Sequence, residues 1–375
     1  MILLINTSNL KKGGGIQVAL SFIKEIIRFP ENEYHIFIGC NILSQINEKE
    51  YPGNFHFYYI QNSPFSLKHG IGIINRLRKL EDKIKPDCVF SVFGPSYWTP
   101  KSPHLLGYAQ GYYLYPESPF FKRITLSNKI KINLLKIVHR FFFRRNAKHY
   151  YVESEDAKLR LSSFLCKSKD NIHVVSNTYH SVFNLQLNGR SILPQKKNNE
   201  IRLVTISSYY PHKNLEIITD VVPFLKQKST TKFIFILTID HKIFENKFKA
   251  FKENIINLGP IPIDLCPKVY RESDILFLPS LVEIFTGSYP EAMKMKKPIL
   301  TSDLSFAHEI CGDAAEFFDP LNPEKIADKI ISVANNIDHQ RKLIKKGEDR
   351  LLYLETPESR AEKLLSICSN IITKR

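Results

Sequence analysis

The chain has 375 residues, 43% hydrophobic and 24% charged, which excludes disordered, collagen-like and low-complexity classes and leaves a folded globular protein. Its 53 lysines and arginines against 37 acids give a formal charge of +16, so anionic partners are favoured: phosphates, nucleic acid or a bilayer face. The six cysteines stand singly with no Cys-x-x-Cys pair, which argues against a zinc site of that kind and against a disulfide framework, and points to a reducing cytoplasm.

The start, "MILLINTSNLKK", has a short apolar run without a basic leader or small-residue cleavage site, so it reads as a strand and not as a signal peptide. No stretch reaches the roughly 20 apolar residues of a membrane span. Next comes a glycine run, "NLKKGGGIQVAL", where backbone turns sharply or passes close to a ligand. It is neither Gly-x-Gly-x-x-Gly nor a P-loop. Short apolar runs then recur as "YHIFIG", "FHFYYI", "DCVFSVF", "HLLGYA", "HYYVES" and "IHVVSN", with helical spacing in "GIQVALSFIKEIIRF" and "GIGIINRLRKLEDKI" between them. Strand and helix in alternation imply a parallel sheet wrapped by helices.

One stretch of this half is unusual. From Phe120 to Tyr150 there are nine lysines and arginines and no acid, and Ile130, Leu134, Ile137, Val138 and Phe141 recur at helical spacing. A basic amphipathic helix suits an anionic membrane surface, at roughly 1 kcal/mol per basic residue near it. The plainer alternative is a core-packed helix with a solvated basic face. No RNP, KH or zinc signature accompanies the patch, so nucleic acid is not expected as a partner.

A polar stretch, residues 184–200, reads as a linker, after which "IRLVTIS", "KFIFILTI", "IINLG", "DILFLPS" and "KPILTS" restart the pattern. The expected architecture is α/β, with two Rossmann-like domains, 1–183 and 201–358, facing each other across a cleft that binds ligands at strand carboxyl ends. The final helix, 359–375, is able to pack on either domain and is assigned to the first.

The richest chemistry follows "DILFLP". In "SLVEIFTGSYPEAM", Glu283 and Glu291 flank Gly287, and Pro290 places the start of a helix near Ser288. Gly287 and the free N–H groups there favour an anion such as a diphosphate, with Glu283 placed for sugar hydroxyls and Glu291 for a ribose. Ser288-x-x-Glu291 equally fits a capping box, in which Glu291 only closes the helix start.

The Glu-x7-Glu spacing in "FLPSLVEIFTGSYPEAM", followed by "KPILTSDLSFAHEICGDAAEFFDP" and preceded by "INLGPIPIDLCPKVYRESDILFLPS", resembles glycosyltransferase family 4 (group 1), retaining enzymes of the GT-B fold. The resemblance covers nearly all of the second domain. It implies a nucleoside diphosphate sugar as donor, UDP in preference to GDP, and a hexose-type sugar passed to an acceptor hydroxyl. Glu291 would hold the ribose, Glu283 the donor sugar, and the amides of Thr286, Gly287 and Ser288 the phosphates. Lys213, in "SSYYPHKNLEI", falls where the family keeps a lysine on the diphosphate, a cation that stabilises the leaving group. Gly13, Gly14 and Gly15 match the glycine-rich first loop that faces the donor, and Gln110 stands where sugar binding is expected.

Two positions depart from the family: Ser208 replaces an arginine, with His212 a candidate substitute cation, and Lys296 replaces a glycine after the helix of Glu291. No histidine stands at the end of the "HLLGYAQG" strand, where the family often carries a catalytic one, and His104 comes several residues too early. The absence of any Asp-x-Asp removes the metal-chelating device of the other large glycosyltransferase fold, so neither metal nor cofactor is expected. The resemblance further implies a glycan acceptor of bacterial surface polysaccharide, O-antigen or capsule, lipid-linked, and a location at the inner face of the cell membrane, reached through residues 120–150. A GT-B sugar-nucleotide epimerase and a degenerate, non-catalytic nucleotide-binding protein are the alternatives.

Overall fold

The computed structural model describes residues 1–10, 13–66, 68–186 and 189–373. Lys11 and Lys12 beside the glycine run, Leu67, Leu187 and Asn188 of the polar stretch, and Lys374 and Arg375 lie outside the described residues. Two compact units are present. Unit 1 comprises Met1–Pro116, Ile124–Asn177 and Glu355–Arg375, and unit 2 comprises Glu117–Arg123 and Thr178–Leu354.

In unit 1 the strands are β1 (Ile2–Asn6), β2 (Glu33–Gly39), β3 (Phe55–Ile60), β4 (Cys88–Ser91), β5 (His104–Gly107), β6 (His149–Val152) and β7 (Ile172–Val174). They form one sheet in the order β3-β2-β1-β4-β5-β6-β7, parallel throughout. One face carries the core of Leu3, Ile5, Phe22, Ile23 and Phe90, closed by Leu364, Cys368 and Ile371 of the terminal helix Pro357–Thr373. The other face packs Leu4, Phe37 and Val89 against Ile73, Leu77 and Trp98. Gly107 is required on β5, because a Cβ there would sit 1.9 Å from the carbonyl oxygen of Val92.

Unit 2 holds β8 (Glu200–Thr205), β9 (Lys232–Leu237), β10 (Ile255–Asn257), β11 (Ile275–Leu278), β12 (Ile299–Ser302) and β13 (Ala315–Phe318). Their order is β10-β9-β8-β11-β12-β13. All pairs are again parallel. Strand order reverses between β8 and β11, the position where open α/β sheets bind ligands at the carboxyl ends.

The basic stretch is not one helix. A short turn, Phe120–Arg123, belongs to unit 2, and the long helix runs only over Leu126–Asn146, started by Thr125, whose hydroxyl accepts from the Asn128 N–H. The apolar residues whose period marked the helix do not enter the core. Leu126, Ile130, Leu134, Ile137, Val138 and Phe141 are exposed, Leu126 at 72% and Ile137 at 67%, so the apolar stripe read from the sequence is not the face by which the helix packs. Only Phe143 and Asn146 of the helix are buried. No helix among the described residues is long and apolar enough to cross a membrane.

Candidate functional site

Two loops meet at the carboxyl ends of β8 and β11 in unit 2. The Thr205 hydroxyl donates to the carbonyl of Phe277, and the Leu281 N–H donates to the carbonyl of His212 at 2.7 Å, so the loops are stitched side by side. The turn Pro211–Lys213 ends at Asn214, whose φ of 54° is left-handed, a conformation asparagine tolerates. Asn214 donates to the carbonyl of Pro320 at 3.0 Å and accepts from Arg123. Lys213 is thereby aimed at Glu283. Its Nζ lies 2.5 Å from Glu283 Oε1, and each side chain is only 11% exposed. This is an ion pair at contact distance in which the oxygen lacks an aligned hydrogen bond.

Helix Ser288–Lys294 starts immediately after Gly287. It is fixed to the sheet by Tyr289, whose hydroxyl meets Thr301 Oγ1 at 2.7 Å, while Thr301 donates to the carbonyl of Leu278. The capping box does not form. Glu291 instead accepts from the buried Tyr270 hydroxyl at 3.1 Å, and the Ser288 N–H points to Thr286 Oγ1 at 3.4 Å. Burial pushes the Glu291 carboxyl up to about 7, against the opposing pulls of the Tyr270 hydrogen bond and the charge of Lys213. Gly287 has φ −59°, so no backbone strain demands glycine there. A Cβ would reach Glu291 Oε1 at 3.4 Å, which places the bare backbone of Gly287 directly beside that carboxylate.

The two departures resolve differently. His212 is pushed down to about 4, by burial above all, with Glu283 opposing and Lys213 reinforcing. It is therefore neutral at pH 7 and does not replace the missing cation, and Ser208 is exposed with its carbonyl accepting from Ser207. Lys296 preserves what a glycine would provide. Its φ is 54°, and the N–H groups of Lys296 and Lys297 bond the carbonyls of Met293 and Ala292 at 3.1 and 2.9 Å, the Schellman ending usually built on glycine.

Residues 200–336 match the family model described as Glycosyl transferases group 1. Over that stretch unit 2 resembles the group 1 glycosyltransferases. No curated protein matches the chain, but similar solved structures span its full length. A glycosyltransferase from Rickettsia africae aligns at TM-score 0.74 and 17% identity, covering 100% of this chain and 99% of that one. WaaG, a glycosyltransferase involved in lipopolysaccharide biosynthesis, aligns at 0.71 and 13%, covering 98% and 99%. Anabaena HepE in complex with UDP-glucose aligns at 0.71 and 12%, covering 99% and 100%. The fold is GT-B.

The remaining expected residues fall in unit 1. Gly13, at φ 81°, precedes helix Gly14–Glu25. A side chain on Gly14 would meet nothing within 4 Å, and one on Gly15 would touch Phe93, so the backbone at Gly14 is open to approach. Gln110 is partly exposed and begins the turn Gly111–Leu114 beyond the end of β5. His104 is buried, its ring nitrogens bonded to the Asn146 carbonyl and the Ser91 hydroxyl at 2.8 and 2.9 Å. Burial pushes it down to about 4, so it is a neutral structural group.

Two residues of the unit 2 site escaped sequence reasoning. Tyr270, which holds Glu291, lies on the helix Cys266–Arg271, 21 positions upstream and without any local pattern linking the two. Asn214 was readable, since an asparagine closing a Pro-His-Lys turn is a left-handed candidate.

Proposed function

We propose that the chain is a retaining, metal-independent hexosyltransferase that moves a sugar from a nucleoside diphosphate donor, UDP in preference to GDP, to an acceptor hydroxyl of a bacterial surface polysaccharide. The observation that carries this reading is the convergence of Lys213, Glu283 and Glu291 at the strand-order reversal of a group 1 glycosyltransferase unit. Lys213 neutralises the charge that develops on the departing diphosphate, and Glu283 addresses the donor sugar. Glu291 accepts from the ribose, and the backbone of Thr286, Gly287 and Ser288 lies against the phosphates. Gly14, Gly15 and Gln110 are the unit 1 candidates for donor and sugar contact. The absence of Asp-x-Asp supports chemistry without a metal, in which the cleaved diphosphate takes the acceptor proton and the protein positions the reactants.

The choice of UDP draws on HepE, solved with UDP-glucose, and the polysaccharide role on WaaG. A lipid-linked acceptor and a place on the inner face of the cell membrane are supported by helix Leu126–Asn146. Its exposed apolar face is flanked by Lys129, Lys131, Lys136, Arg140, Arg144 and Arg145. Ile137, Arg140, Phe141, Arg144 and Arg145 line a groove of about 430 Å³, which offers a lipid phosphate both charge and apolar contact.

The test is product analysis with UDP- and GDP-hexoses, with and without a lipid-linked glycan acceptor. Acceptor-dependent release of UDP and a product whose new linkage keeps the donor's anomeric configuration are expected. An isomerised nucleotide-sugar formed without acceptor would identify an epimerase, and nucleotide binding without turnover a binding protein.

A further inference from the structure

Strands β2 and β3 run in parallel at one edge of the unit 1 sheet, with His35 directly opposite His56 and Phe37 opposite Tyr58. Alternate residues of a strand share a face, so Glu33 and His35 on β2 stand on the same side as His56 and Tyr58 on β3. The consequence is a convergence of donor atoms. His35 Nε2 and His56 Nε2 lie 3.0 and 3.2 Å from the same oxygen, Glu33 Oε1, and the three ligand atoms all lie within 4.8 Å of one another.

The geometry points to a divalent transition-metal site of the zinc class, formed by Glu33, His35 and His56, with solvent completing the shell. Four donors at about 2.0–2.2 Å in a tetrahedron stand roughly 3.3 Å apart, close to the separations that already bring each imidazole to the carboxylate. Two imidazoles and one carboxylate suit zinc and its neighbours, whereas calcium and magnesium require an all-oxygen shell. The outer contact is in place too. His35 Nδ1 meets the Tyr58 hydroxyl at 3.0 Å, which occupies that nitrogen and leaves Nε2 for the metal.

Packing favours entry as well as order. The His35 side chain is 10% exposed and held, while Glu33 and His56 are 46% and 42% exposed, so a cation reaches the site from solvent and Glu33 adjusts by a rotamer. The site lies at the amino end of the strands, opposite the carboxyl ends that carry Gly14 and Gln110. Its role is therefore structural: a bound ion ties the edge strand β3 to β2.

The test uses the untagged full-length chain with the exposed Cys40 and Cys166 replaced by serine, so that thiolates do not compete. Zinc chloride is titrated against a fluorescent chelator, and thermal unfolding is followed in parallel. One equivalent of zinc is expected, raising the melting temperature. Glu33→Ala and His56→Ala, both at half-exposed positions, should each weaken binding at least tenfold and remove the thermal shift, and Tyr58→Phe should weaken it about tenfold through orientation of His35. Absence of a bound equivalent, or one held equally well by Glu33→Ala and His56→Ala, would overturn the assignment.

Discussion

Replacing Glu291 by glutamine should stabilise the free protein while damaging donor binding, and the size of both effects follows from the carboxyl's surroundings. Burial moves its pKa from 4.5 to about 7, and at about 1.4 kcal/mol per pH unit an ionised Glu291 costs the folded state roughly 3 kcal/mol at high pH. The sign follows from proton counting. Between about 4.5 and 7 the folded chain holds a proton that the unfolded chain has released, so wild-type stability falls as pH rises through that window and levels off above it. Glutamine keeps the Tyr270 hydrogen bond and carries no charge. The variant should therefore match wild type near pH 4, gain steadily to pH 7, and then hold a constant advantage, roughly 6–12 °C in the melting temperature of a unit of this size.

Nucleotide binding should move the other way. Hydrogen bonds to a charged acceptor contribute about 1.5–3 kcal/mol each, so loss of the carboxylate should weaken UDP by roughly 10- to 100-fold. Because a ribose hydroxyl donates better to the ionised form, wild-type affinity should rise from pH 6 to pH 8 beyond any rise seen in Glu291→Gln. Differential scanning fluorimetry across pH, with and without UDP, reads both effects. Identical melting curves at pH 8, or undiminished UDP binding by the variant, would refute the argument.

Lys213→Met should lower the transfer rate roughly 10²- to 10³-fold, as loss of a preorganised charge on a leaving group does. It should also destabilise the free protein by about 3–5 kcal/mol, because Glu283 is left buried and unpaired; adding Glu283→Gln should restore most of that stability and none of the rate, and additive stability losses would contradict the pairing. On helix Leu126–Asn146, Ile137→Ser with Phe141→Ser should leave stability within about 0.5 kcal/mol, since both residues are exposed, while reducing sedimentation with anionic vesicles. Equal wild-type binding to anionic and neutral vesicles would remove the membrane role.

Buried parallel strands read as continuous apolar runs, which is why β1 to β12 were recognisable from sequence while β13 was not. "AEFF" is four residues long, with the partly exposed Glu316 inside it, too short and too mixed to separate from its neighbouring turns. The long basic helix was visible in its period, but a helical period records which residues share a face and not whether that face meets a core. The exposure of Leu134 and Ile137 had to come from tertiary structure. The same limit applies to His212, whose charge depends on burial by distant segments, and to Tyr270, whose hydroxyl reaches Glu291 only through packing between two helices.

Departures from local rules gather around one seven-residue helix. Glu291 in its first turn is a carboxylate with a raised pKa, and Lys296 just beyond its end holds a left-handed conformation that costs a non-glycine residue roughly 1 kcal/mol. Lys213 and Glu283 precede it as a nearly buried pair whose desolvation consumes much of its mutual attraction. None of these features is the most stable solution for its position, and each is held by ordinary structure: Tyr270, the Schellman bonds, the stitch from Leu281 to His212. Sequences break local rules chiefly where a site requires it. Their concentration at the strand-order reversal of unit 2, where open α/β sheets bind ligands, is what the proposed roles of Glu291 and Lys213 would require.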